Sequence, residues 1–176
     1  MKLKKCKYCK TEFTPYTSLD KFCKSSECVR LFVAETKAKD WKKRKRIIAE
    51  KIKPVSQMLK ETQVTFNAYI RARDFKKKCC SCEVILTGKY DAGHFYSTKH
   101  KSVTFDERNV NGQCVTCNQF LHGNLLEYRA RLETRIGKEN LEDLQKKSLL
   151  VKKYTKEELT EIKDYYKKKL KIMLGK

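Results

Sequence analysis

No apolar run in this sequence approaches the ~18 residues that a membrane-spanning helix needs. None follows the start as the core of a secretory leader would; MKLKKCKYCK is basic and passes straight into a CxxC. Acid is scarce: 21 Asp and Glu stand against 42 Lys and Arg, a formal net charge of +21. Only two prolines interrupt 176 residues, so one compact domain with an attached module, or two small domains, is the natural range. These shortages argue against a membrane or secreted protein and for a cytoplasmic one. They leave a cationic excess that calls for a polyanionic partner, and nucleic acid is the one expected.

Cysteine is abundant, at nine residues. In a chain without secretory features, that count with CxxC spacing points to metal rather than disulfides. Cys6 and Cys9 are followed by the looser pair Cys23 and Cys28. Cys79 and Cys82 are followed by Cys114 and Cys117, and Cys80 is left as a bystander, or a substitute for Cys79. Four thiolates saturate a zinc ion, so two closed structural zinc sites are expected. The aromatic, turn-rich TEFTPYTSLDKF between the first two pairs reads as a short hairpin.

From Val29 the pattern is helical, with nine Lys and Arg between positions 37 and 53 against Asp40 and Glu50 alone. Like charges at helical spacing repel unless a polyanion neutralises them. Lys42, Lys43, Arg44, Lys45 and Arg46, with Arg71 and Arg73 further on, are therefore candidate phosphate contacts, and Trp41 either stacks on a base or packs. Pro54 ends this run. A second helix over 55–75 carries Met58, Leu59, Val64, Phe66, Tyr69 and Ile70 as mostly core positions. Beyond residue 124 lie a helix interrupted at Gly137 and a last helix opened by a Thr155/Glu158 capping box. The last helix has an apolar stripe of Leu159, Ile162, Tyr166, Leu170 and Met173. The expected organisation is a zinc module over 1–28, a basic helical region over 29–76, a zinc-bound core over 77–124 and helices over 125–176.

The core carries the chemistry. KYDAGHFYS and NVNGQ are β-prone and should pair, after which the knuckle Cys114–Cys117 opens a helix with Asn118 and His122 one turn apart. His94 on the first strand is expected to face them, with Asp91 nearby and Asp106 and Glu107 as competing carboxylates. A base, an amide and a second imidazole suit phosphodiester hydrolysis assisted by a hard cation, most plausibly Mg2+.

GHF followed by DERNVNGQCVTCN resembles the ββα-metal, or HNH, nuclease motif. The resemblance implies His94 as general base, Asn109 as the residue bracing the loop that aims it, and Asn118 as a metal ligand. Four cysteines around such a unit are also similar to T4 endonuclease VII, a junction resolvase. The whole chain resembles the lambda-phage NinG (Rap) recombination proteins, through FNAYIRARD before the CxxC, AGHF, RNVNGQCVTCN and GNLLEYRARLETRIG. It departs from many HNH enzymes in having Gly93 where an acidic ligand usually precedes the His.

The expected fold is thus α+β and mainly helical: a zinc-stabilised ββα-metal (HNH-like) core, long basic helices and an N-terminal four-cysteine module. The resemblance implies a structure-specific endonuclease for branched recombination intermediates in a phage-infected or lysogenic host. It would leave 5′-phosphate and 3′-hydroxyl ends and could act as a homodimer. The rival expectations are a non-catalytic zinc-containing DNA-binding accessory protein and, more remotely, an RNA-binding zinc protein.

Overall fold

The computed structural model describes residues 2–175, apart from the Lys51 side chain. The chain divides into two compact units, Met1–Lys53 and Pro54–Lys176. No helix among the described residues is long and apolar enough to cross a membrane.

In the first unit, β1 (Lys4–Lys5) pairs antiparallel with β2 (Glu12–Phe13). The turn between them is the Cys6–Cys9 knuckle itself. The hairpin expected within TEFTPYTSLDKF is therefore displaced toward the N-terminus, because a four-residue metal loop closes a turn more tightly than the longer segment does. Helix α1 (Ser26–Ile52) starts at the Ser25 cap, whose Oγ accepts from Cys28 N at 3.4 Å. It begins three residues before the expected start, which places Cys28 in its first turn. The basic helix thus belongs to the same unit as the cysteine module. Phe22 stacks on Phe32 at 4.9 Å, and Lys7 and Tyr8 both bond Glu35, so the module is sewn to the first turns of α1. Beyond them residues 42–46 are exposed, as is Trp41 at 65%.

In the second unit, Pro54 precedes α2 (Val55–Asp74), which packs against α5 (Lys156–Met173). Phe66, Tyr69 and Ile70 from α2 and Tyr166 from α5 enclose Val110, with Ile162 and Leu170 at the margin. Thr155 and Glu158 close the capping box in both directions, at 3.2 and 2.9 Å. Val64 and Met173 fall off their stripes into solvent. Strand β3 (Tyr90–His94) pairs antiparallel with β4 (Val110–Cys114), Asp91 opposite Gln113 and His94 opposite Val110. Helices α3 (Leu125–Ile136) and α4 (Lys138–Ser148) flank Gly137, whose φ of 82° only glycine adopts cheaply. Tyr128, Leu132, Leu141 and Leu144 bury themselves there with Val103 and Cys80. The architecture is α+β and mainly helical, with short sheets.

One ion cluster ties α2, β4 and α3 together. Asp74 is 1% exposed and accepts from Arg73 at 2.7 Å, Arg135 at 3.0 Å and Gly112 N at 2.8 Å. Burial alone would raise its carboxyl, but the Arg73 guanidinium overrules this and holds it far below the usual range. Asp74→Ala would strand these cations, and a loss of about 3–5 kcal/mol in chemical denaturation is expected. A loss under about 1 kcal/mol would show the cluster to be incidental.

Candidate functional site

Cysteine sulfurs meet at one place in each unit. Cys6, Cys9, Cys23 and Cys28 lie mutually within 4.8 Å, as do Cys79, Cys82, Cys114 and Cys117. Neighbouring sulfurs stand 3.6 to 3.7 Å apart in the first group, and Cys82 and Cys114 are 3.6 Å apart in the second. A tetrahedral site with Zn–S near ~2.3 Å has sulfur–sulfur edges of roughly 3.8 Å, so both groups fit zinc. Backbone amides point at the sulfurs, Cys23 N at Cys6 and Cys114 N at Cys79 among them, and stabilise the thiolate form. Cys80 faces the other way, into the α3–α4 core, where burial pushes its thiol far up. It is the bystander, and no substitute for Cys79.

Behind the second group, Asp91 Oδ2 on β3 accepts from Asn118 Nδ2 at 2.9 Å and from Gln119 Nε2 at 2.8 Å. The hairpin and the Cys114–Cys117 knuckle thus bring a carboxylate and an amide together, and rotation of the amide would offer its oxygen beside the carboxylate. Two oxygen donors suit a hard cation. Among the described residues, the only groups of three or more His, Cys, Asp and Glu are the two cysteine sets. Asp106 is committed to Arg108, and Glu107 to Tyr69 and Lys169, so neither competes with Asp91.

Asn109 is fully buried and spans the loop between β3 and β4. Its Oδ1 accepts from Tyr96 N at 2.8 Å, and its Nδ2 donates to Tyr96 O and Val103 O, both at 3.0 Å. It therefore fixes the chain immediately after His94. The His94 ring is largely buried, Nε2 has no hydrogen-bond partner, and burial lowers its pKa from the ordinary 6.5.

Three expectations change. The knuckle opens only a five-residue π-helical segment, Thr116–Phe120, and His122 follows it with φ of 49° in an exposed turn. His122 and Asn118 therefore do not share a regular helical face; the cysteine ligands and the left-handed residues His122 and Asn124 stop the helix early. Strand alternation sets His94 on the face of Ala92 and Val110, and Asp91 on the face of Gly93 and Gln113. The imidazole does not face Asn118 as expected. Arg73 is spent inside the fold, on Asp74, Val110 O and Asn111 Oδ1; Arg71, also expected on phosphate, is half-buried on α2.

Gly93 has a local cause. A Cβ there would collide with the Gln113 side chain, which is anchored to Ser81 Oγ at 2.7 Å and Gly123 O at 2.6 Å. The space an acid would occupy before His94 is already filled. Gln113 and Gln119 were not readable as site residues, since an amide in a β-prone run carries no spacing signal. Gly93→Ala should cost about 1–3 kcal/mol, and a Gln113→Ser partner should recover part of it in a double-mutant cycle. Additive losses would mean that the two side chains do not compete for that space.

Two four-cysteine groups with the geometry to hold zinc, in a strongly basic α+β chain, define the class of this protein. Comparison with known proteins places it further. The family model for the bacteriophage lambda NinG protein matches residues 1–175. Protein ninG of Escherichia phage 933W is 34% identical over 187 aligned residues, covering 96% of this chain and 92% of that one. Protein ninG of Escherichia phage lambda is 40% identical over 121 residues, 68% of this chain and 59% of its own length. No solved structure matches. The chain belongs to the NinG family.

Proposed function

We propose that this protein is a metal-dependent endodeoxyribonuclease with an HNH-like core, cutting branched recombination intermediates of the Holliday-junction or D-loop type. The observation that carries the reading is the pairing of Asp91 with Asn118 directly behind the zinc knuckle. Asp91 and Asn118 would hold a Mg2+-type ion, which when bound neutralises charge on the scissile phosphate and the departing 3′ oxygen. Asn109 locks the loop after His94. Neutral His94, whose buried Nε2 has no hydrogen-bond partner within the chain, is the base that the HNH resemblance assigns to take the proton of the attacking water. The exposed cations at 42–46 hold backbone phosphates without reading sequence. Binding should therefore weaken steeply with salt.

The opposite strand face taken by His94 favours a second reading, a non-catalytic zinc-containing DNA-binding accessory protein. A labelled four-way junction beside a matched linear duplex, with Mg2+ and with EDTA, separates the two. Junction-selective cuts that require the divalent ion support the nuclease. Binding without cuts under every divalent ion tried supports the accessory protein.

A further inference from the structure

A cleft of about 550 Å3 opens between the loop that carries Cys79 and Cys80 and one side of α3. Lys77 and Lys78 line the loop wall; Arg131, Thr134 and Arg135 line the helix wall. Arg131 and Arg135 are four residues apart and so share a helix face. The cleft is built rather than incidental. Arg131 Nε donates to Ser81 O at 2.8 Å, and its Nη1 pairs with Glu83 at 2.7 Å, so the helix wall is bolted to the zinc loop. Arg135 reaches the buried Asp74 from the same side. Lys77 and Lys78 keep their side chains 51% and 64% exposed.

The charges do not balance at the mouth. Glu83 is the sole acid among the lining residues and is shared between Arg131 and, at 3.6 Å, Lys78, while Lys77 pairs at 3.3 Å with Asp74 below the mouth, so four cations share two carboxylates. Asp74 lies beneath, almost without solvent contact, and is shared by Arg73, Arg135 and Lys77. Guanidinium groups in fixed orientation beside mobile ammonium groups suit a phosphodiester, with Arg for geometry and Lys for charge.

We propose that this cleft is a second phosphate-binding subsite, which holds a DNA backbone segment on the zinc knuckle. Its lining includes neither Asp91 nor Asn118. The proposal extends the nucleic-acid part of the functional reading and does not depend on catalysis. Glu83 acts in it as a built-in competitor, occupying Arg131 and Lys78 until a phosphate displaces it.

Equilibrium binding of a fluorescent four-way junction and a linear duplex to the full, zinc-loaded chain tests this across a salt series. Lys77→Gln with Lys78→Gln should weaken binding by roughly tenfold per lost contact near 0.1 M salt, and lower the slope of log affinity against log salt by about 0.9 for each. Glu83→Gln should do the reverse, with tighter binding and an unchanged or steeper slope. Zinc content of two per chain and an unchanged thermal transition confirm that each variant is folded. If the four cations only balance the doubly negative zinc tetrathiolate, affinity and slope will stay at wild-type values in both variants, and the subsite is overturned. Should the lysine double variant misfold, Glu83→Gln alone decides: no gain in affinity overturns the proposal. Because the readout is binding, a failure here differs from a failure of the nuclease reading, which shows as absent cleavage with binding intact.

Discussion

His94→Ala is expected to cut the junction-cleavage rate by about 10²–10⁴-fold, the usual worth of a positioned general base, while the affinity for the junction stays within about twofold of wild type, since the ring supplies no positive charge near neutral pH. His94 is neutral there because burial lowers its pKa from 6.5. The acid limb of the rate profile should accordingly fall below pH 6.5, and no loss is expected between pH 8 and 7. The same shift bears on stability. Protonating a His with a depressed folded pKa costs folding free energy, so its contribution is fully present above 6.5 and is lost as pH falls through the folded value. Single-turnover rates from pH 5 to 8 would test both points. An unchanged rate in His94→Ala would transfer the base role elsewhere. An acid limb above 6.5 would contradict the buried, neutral imidazole.

The second large effect concerns zinc. Cys117 is 2% exposed and packs with Cys79, Leu86 and Tyr90, so the metal site and one of the hydrophobic clusters are the same object. Structural zinc contributes about 10–16 kcal/mol of apparent binding free energy that a preformed unfolded site does not offer. A domain of this size is stable by about 5–15 kcal/mol in all. Cys117→Ser should therefore drop the zinc content from two ions to one, and leave residues 54–175 without a cooperative thermal transition. Zinc release measured with a colorimetric chelator beside near-UV circular dichroism of the buried tyrosines would show it. A variant that keeps a sharp transition with one zinc would mean that the hydrophobic contacts suffice without the metal.

Much of this protein was legible as spacing. The two four-cysteine sets, the breaks at Pro54 and Gly137, the capping box at Thr155 and Glu158, and the β-prone segments KYDAGHFYS and NVNGQ are local patterns, and local chemistry enforces them. A CxxC can close only a tight loop, Pro54 cannot donate within a helix, and Gly137 accepts a left-handed φ that other residues resist.

Tertiary structure decided the rest. Sequence could not tell that Arg73 turns inward to Asp74 while residues 42–46 face solvent, since a cation's fate depends on which carboxylate the fold buries beside it. Nor could it reveal that Gln113 occupies the space above Gly93, or that Asp91 rather than Asp106 or Glu107 meets Asn118. The Gly93–Gln113 and Asp91–Asn118 contacts join residues 20 and 27 positions apart, and are set by strand register and by where the Thr116–Phe120 segment ends. The face on which His94 lies is fixed the same way: side chains alternate along β3, and register alone chooses the side. The sequence by itself determined that two four-cysteine groups able to hold zinc and an exposed basic stretch would form. Packing of α2, β3, β4 and α3 around the second centre determined which side chains reach it, because desolvation allows a buried charge to persist only where a partner already stands.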